Sequence, residues 1–350
     1  MNETLFVAPA LAATMSALAV WLLARTARAL PPDIPNARSL HVQPVPRAGG
    51  YAIWAGFIPA ALLFAPPFPV EWKVWLPGWA ALALVSATDD VREVRVLPRL
   101  AVHAAAALWA AAWLVGQAPL AMGAASALAS TAAIALVIAW SANLYNFMDG
   151  TDGLAATMGA VGFAAYAVAA AAPDTVSPGT LSAAPGPVPT FLAATAAIVP
   201  FLVVNRPRAS MFLGDVGAVP LGFLAAVFGV GGVAGGWWPA WFPPLVFLPF
   251  VADATLTLAQ RARRRERLWE GHRGHFYQRL HQLGAGHGGT LAVYASAMVG
   301  TAATAVGCRL WAPAAGWWAL AAWIAVVITL FATIDYHWRK KTNIPTPTPR

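Results

Sequence analysis

The sequence predicts an all-α, polytopic integral membrane protein of about ten to eleven transmembrane helices, with its chemistry in loops on one face. Three observations lead there. Of 350 residues, 59% are hydrophobic and only 10% charged, well below the roughly 25% charged residues of soluble domains. Apolar runs of about 20 residues, long enough to cross a bilayer, recur from end to end. Of the 22 Lys and Arg, all but Lys73 and Arg309 fall in alternate connecting segments, the sorting that cytoplasmic loops impose.

Helices are expected near 5–24, 49–65, 74–88, 100–115, 122–142, 154–172, 188–204, 218–235, 241–259, 290–307 and 316–334. The first has Glu3 before it and Arg25 and Arg28 after it, the reverse of a cleavable signal's charge order, so it is expected to be retained. Several runs fall short of a perpendicular span and must extend into their loops or thin the bilayer. Pro249 is expected to kink the ninth helix. The segments 25–48, 89–99, 143–153, 205–217, 260–288 and 335–350 then share the cytoplasmic side, and the N-terminus lies outside. The segment 173–187, without a basic residue and rich in Pro, Gly, Ser and Ala, reads as a bland external connector. One membrane domain over 1–338 and a disordered tail over 339–350 complete the organisation. The net charge of +8 follows from the loop bias rather than from nucleic-acid binding. Cys308 is alone, which excludes an internal disulfide and a zinc-type Cys/His site.

Five aspartates gather on the cytoplasmic side: Asp89-Asp90, Asp149 and Asp152 within Asn143 to Gly153, and Asp215 within Phe212 to Gly217. Carboxylates beside hydrocarbon are costly, and hard cations such as Mg²⁺ recruit one or two of them together with substrate phosphates. Taken singly, Asp89-Asp90 and Asp149/Asp152 serve equally well as helix caps. Gly150, Gly153 and Gly217 allow a tight turn or close approach of backbone amides to a phosphate. His272, Arg273 and His275 are a compact set of donors for a diphosphate, although local carbonyls would also satisfy the histidines. Arg263, Arg264 and Arg265 suit anionic headgroups. Arg47 either reaches a phosphate or anchors its helix at the interface. His103 reads as a packed polar residue, and Asp253, an acid inside the ninth helix, as a functional suspect.

Together, Ser39 to Gly50, Asp89-Asp90, Asn143 to Gly153, Phe212 to Gly217, Asp253 and His272 to Arg279 resemble, in order and spacing, the polyprenyl-phosphate N-acetylhexosamine-1-phosphate transferases. The form His-Arg-Gly-His-Phe-Tyr-Gln-Arg is more similar to members that initiate O-antigen or other surface glycans than to the phospho-N-acetylmuramoyl-pentapeptide transferase, which is the alternative. Departures are Ala218 where a serine is usual, Ala209-Ser210 without the customary lysine, and no lysine after Asp89-Asp90, where Arg92, Arg95 and Arg99 are the nearby cations. The resemblance implies a bacterial inner-membrane enzyme that joins a UDP-N-acetylhexosamine to polyprenyl phosphate and releases UMP, with Mg²⁺, or Mn²⁺ in its place, as cofactor and a homodimer as a compatible assembly. It implies Asp215 and Asp152 as metal ligands, Asp89 and Asp90 as the catalytic pair, and Asn146, Asp149, Asp152, Arg47, His272, Arg273 and His275 as substrate-binding residues. A solute transporter is the competing class, disfavoured because transporter sites lie near the bilayer midplane, whereas these acids cluster in loops.

Overall fold

All eleven expected segments are helical in the computed structural model, which describes residues 3–26, 32–35, 40, 43–64, 70–92, 94–116, 124–172, 186–267 and 272–342. Ser39 and His41 of the first-loop motif, most of the connector 173–187 and the tail from 343 lie outside the described residues. In chain order the helices are α1 (Thr4–Arg25), α2 (Gly49–Phe64), α3 (Trp72–Val91), α4 (Val96–Gly116), α5 (Ala124–Met148), α6 (Leu154–Ala170), α7 (Val188–Asn205), α8 (Asp215–Ala234), α9 (Phe242–Val246), α10 (Leu248–Arg263), α11 (Phe276–Leu280), α12 (Gly286–Trp311) and α13 (Gly316–Thr342). A two-residue hairpin, β1 (Pro32–Asp33) with β2 (Val45–Pro46), pairs antiparallel in the first loop.

Among the described residues, seven helical segments are long and apolar enough to cross a membrane by length and composition, and α2 and α6 are shorter apolar helices. The charged residues Lys73, Asp89 and Asp90 lie near the two ends of α3. The ninth expected helix is broken in two, but not where Pro249 was expected to kink it. The break falls at Phe247 (φ −95°, ψ 11°), and Pro249 stands in the first turn of α10, where a missing N–H has no intrahelical partner to lose. The last helix continues through Arg339, Lys340 and Lys341 to Thr342, so these residues form a helical end rather than the start of a tail.

The bundle is organised around α8, whose membrane-crossing stretch is the most enclosed and which packs against α3 and α5 and also touches α2, α4 and α6. Without water to drive apolar faces together in lipid, close helix approach depends on small residues and interhelical hydrogen bonds. The sequence supplies both. A Cβ on Gly50 would collide with the backbone of Gly217, and one on Gly222 with Ser141 O. Ser141 Oγ donates to Gly222 O at 2.8 Å, Ser16 Oγ to Ala197 O at 2.6 Å and Trp54 Nε1 to Val216 O at 2.7 Å. Because the α2–α8 contact is backbone against backbone, Gly50→Val is expected to destabilise the protein by about 1–3 kcal/mol, read as a lower melting temperature in detergent.

Candidate active site

The loop motifs meet through their backbones. Phe212 N–H donates to Pro46 O at 2.9 Å, and the N–H groups of Gly49 and Gly50 donate to Phe212 O and Leu213 O at 2.8 and 2.9 Å. The Phe212–Gly217 motif thus accepts the orphan donors of the first turn of α2. Gly214 takes φ +74° and Gly153 φ +76°, each just ahead of a helix, a backbone conformation that residues with a Cβ rarely adopt. Asp215 begins α8, and Asp149 and Asp152 lie in the turn between α5 and α6.

These elements enclose a cleft of about 210 Å³ lined by carboxylates and amides, among them Asp33, Arg47, Asn146, Asp149, Asp152 and Asp215. Two guanidiniums hold the acids apart. Arg47 donates to Asp33 Oδ1 at 2.6 Å and stands 3.7 Å from Asp90 Oδ1. Arg99, in the first turn of α4, pairs closely with Asp89 and lies 3.7 Å from Asp215 Oδ2. Asp89 also accepts the Val94 N–H at 2.8 Å, and Asn146 Nδ2 donates to Asp215 Oδ2 at 3.3 Å. The Asp149 N–H donates to Asn146 O at 3.3 Å, but its carboxylate has no hydrogen-bond or ion-pair partner among the described residues. Enclosure first, and then the negative charge of Asp215, raises its pKa well above the ordinary carboxylate range.

This arrangement fits a hard divalent cation. The cleft is rich in oxygen ligands, Asp33, Asp149, Asp152 and Asp215 among them, and a half-buried carboxylate without a partner favours a counter-charge. No group of three or more His, Cys, Asp or Glu is preassembled around a metal position among the described residues.

The expected residues divide into those the fold brings to the cleft and those it spends elsewhere. Arg47, Asn146, Asp149, Asp152 and Asp215 line it, and Asp89 and Asp90 border it through Arg99 and Arg47. Asp152 is not placed as a free ligand: its Oδ2 accepts the N–H groups of Arg208 and Ala209, both at 3.1 Å, so it clamps the loop before Phe212. His272, Arg273 and His275 do not line the cleft. His275 is buried, with Nδ1 at 3.1 Å from Asp253 Oδ1. His272 stacks on it with ring centroids 4.7 Å apart, and burial, followed by the charges of His275 and Arg261, lowers its pKa to about 4. It is therefore a neutral donor or acceptor near pH 7 rather than a cation. Asp253, the intramembrane suspect, proves to anchor this segment. His103 is buried as expected, with Nδ1 at 3.2 Å from Asn143 Oδ1.

Sequence reasoning missed Asp33, Asn205 and His287. His287 Nδ1 accepts the Asp152 N–H at 3.3 Å, and its Nε2 is 3.3 Å from Leu40 O. Asn205 accepts the Gly153 N–H at 3.0 Å and donates to Met211 O at 2.9 Å. Each bridges segments far apart in sequence. The signal that was available is weak: a histidine between glycines at 286–289, and a polar residue ending an apolar helix.

The fold and this cleft define a polytopic membrane protein with an acidic, arginine-bridged site at one end of its bundle. The glycosyl transferase family 4 model matches residues 72–233, a stretch that carries Asp89-Asp90, Asn143 to Gly153 and Phe212 to Gly217. The chain is 28% identical over 288 residues to the decaprenyl-phosphate N-acetylglucosaminephosphotransferase of Mycobacterium leprae, covering 72% of this chain and 70% of that one. It is also 28% identical over 208 residues to the undecaprenyl-phosphate alpha-N-acetylglucosaminyl 1-phosphate transferase of Yersinia pestis, covering 55% and 53%. To the phospho-N-acetylmuramoyl-pentapeptide-transferase of Halalkalibacterium halodurans it is 32% identical over 97 residues, covering 28% and 27%. The chain is thus similar to glycosyl transferase family 4 over residues 72–233 and, over a longer stretch, to polyprenyl-phosphate N-acetylglucosamine phosphotransferases.

Proposed function

We propose that the protein transfers an N-acetylhexosamine-1-phosphate from a UDP-sugar to polyprenyl phosphate at the cytoplasmic face of a bacterial inner membrane, initiating a surface glycan. The observation that carries this reading is Asp149, an unpartnered carboxylate beside Asp215 in a cleft that two arginines border. In the reaction an acceptor phosphate oxygen bonds to the sugar-linked phosphorus, the bond from that phosphorus to the bridging oxygen breaks, and UMP departs with that oxygen. Mg²⁺, when bound, would neutralise charge between the two anionic substrates, and Asp149 and Asp215 would hold it. Arg47 and Arg99 are mounted on carboxylates rather than on substrate, so each is oriented before a phosphate arrives and can meet it in a bidentate geometry. Asn146 steadies Asp215.

Asp89 acts by position. Its carboxylate is committed to Arg99 and to the Val94 N–H, and a phosphate monoester with a second pKa near 6 is largely dianionic without a base. Asp90, set against Arg47 on the neighbouring side, supports the same arrangement. Asp152 and His287 shape the wall on which the nucleotide would rest.

The test is UMP release from a panel of UDP-N-acetylhexosamines by detergent-purified protein supplied with polyprenyl phosphate. One donor is expected to give UMP that depends on both lipid and Mg²⁺. EDTA is expected to abolish release and excess Mg²⁺ to restore it. Absence of UMP from folded, lipid-supplied protein, with solute uptake in liposomes, would replace the transferase reading with transport.

A further inference from the structure

Segment α11 is tied to the protein interior through one carboxylate. Asp253, fully buried on α10, accepts the N–H groups of Phe276 and Tyr277, both at 3.0 Å, the Tyr294 hydroxyl at 2.5 Å and the Thr257 hydroxyl at 3.1 Å. A capping box at His275, whose N–H donates to Gln278 Oε1 at 3.2 Å, fixes the start of the helix. Tyr277 is thereby held against the turn that leads from α5 into the cleft. Its hydroxyl donates to Phe147 O at 3.1 Å, and it fills the space that a side chain on Gly150 would need. Phe147 and Gly150 flank Asp149, the acid without a partner of its own.

We propose that Tyr277 is a positioning residue for Asp149, with Asp253 fixing the ring and the tyrosine hydroxyl fixing the Phe147–Gly150 turn. A carboxylate that forms no hydrogen bond has no local restraint on where it points, so its aim depends on the backbone beneath it. Sites that must bring two anions together lose rate steeply when a charged group is displaced, on the order of 10²-fold per ångström. The kinetic part of the proposal rests on the transferase reading; the structural part does not.

The test is a double-mutant cycle of Tyr277→Phe and Gly150→Ala in the full-length protein. It is read by UMP release and by the Mg²⁺ concentration at half-maximal thermal stabilisation. Tyr277→Phe keeps the packed ring and is expected to lower kcat about 10-fold, with donor KM unchanged and the Mg²⁺ midpoint raised several-fold. Gly150→Ala, which drives a methyl into the hydroxyl, is expected to lower kcat about 100-fold. In the Tyr277→Phe background the methyl would face a ring carbon at 3.1 Å instead, and Gly150→Ala is expected to recover about 10-fold of that loss, a non-additivity diagnostic of direct coupling. Equal effects of Gly150→Ala in both backgrounds would overturn the proposal. So would a Tyr277→Phe protein with a lower melting temperature but unchanged kcat and Mg²⁺ midpoint, the mark of a purely structural tyrosine. If Gly150→Ala yields no folded protein, its recovery in the Tyr277→Phe background supports the coupling; without recovery, the kcat and midpoint of Tyr277→Phe alone decide. A wild-type protein that releases no UMP removes the transferase reading, while the Mg²⁺ midpoints still judge the positioning.

Discussion

Asp215→Asn is expected to release UMP on the order of 10²–10³-fold more slowly than the wild type, with an equal or higher melting temperature. The substitution keeps the shape of the side chain and removes only its charge. In the folded protein Asp215 begins α8, accepts a hydrogen bond from Asn146 at 3.3 Å and faces Arg99 at 3.7 Å. Loss of its charge leaves the cleft with one fewer fixed anion for a cation to bridge, which penalises charge development during transfer. The same loss relieves repulsion with Asp149, whose pKa is raised by burial first and then by that neighbour, so stability should not fall. Measuring UMP release and thermal melting on one preparation separates the two effects. A near-normal rate would remove Asp215 from the site, and a collapsed melting temperature would mark it as structural.

Asp253→Ala should do the opposite, costing about 3–5 kcal/mol of stability. The carboxylate is fully buried and accepts the N–H groups of Phe276 and Tyr277 and the hydroxyls of Tyr294 and Thr257, with His275 beside it. Removing it leaves all of those groups dry and unsatisfied, the costly half of the asymmetry between making a buried hydrogen bond and leaving one unmade. Activity is expected to disappear together with the folded state of α11. Asp253→Asn, which retains one acceptor oxygen, should fall between, and a melting temperature for Asp253→Ala close to wild type would refute the anchoring role.

These two acids show where sequence reading succeeds and where it stops. Asp215 was legible because a glycine follows it closely, Gly217, as Gly150 follows Asp149 and Gly153 follows Asp152, each in a connection between apolar helices. Asp253 looked functional because an acid inside an apolar run is expensive and demands an explanation. Its explanation lies 22 to 41 residues away, in His275, Phe276, Tyr277 and Tyr294. No local pattern announces that partnership. The same limit hid the contact between His275 and Asp253, since a histidine aimed at a substrate and one aimed at a buried carboxylate have the same sequence. Asp152, taken as a metal ligand, is occupied by the backbone of Arg208 and Ala209, and His287 and Asn205 were overlooked for the matching reason.

By itself, the sequence determined the all-α membrane class, the placement of the apolar helical segments and the motifs that carry the family resemblance. All of these follow from the solvent: lipid demands apolar helices of fixed length with their backbone groups satisfied internally, and that demand is written locally, residue by residue. Only the tertiary structure decided which acids face the cleft, which arginine is mounted on which carboxylate, that the ninth helix breaks at Phe247, and that Tyr277 stands over Gly150. Those outcomes depend on close approach between distant segments, where a missing Cβ at Gly50 or Gly150 and one buried hydrogen bond determine which side chain has room and which partner it meets.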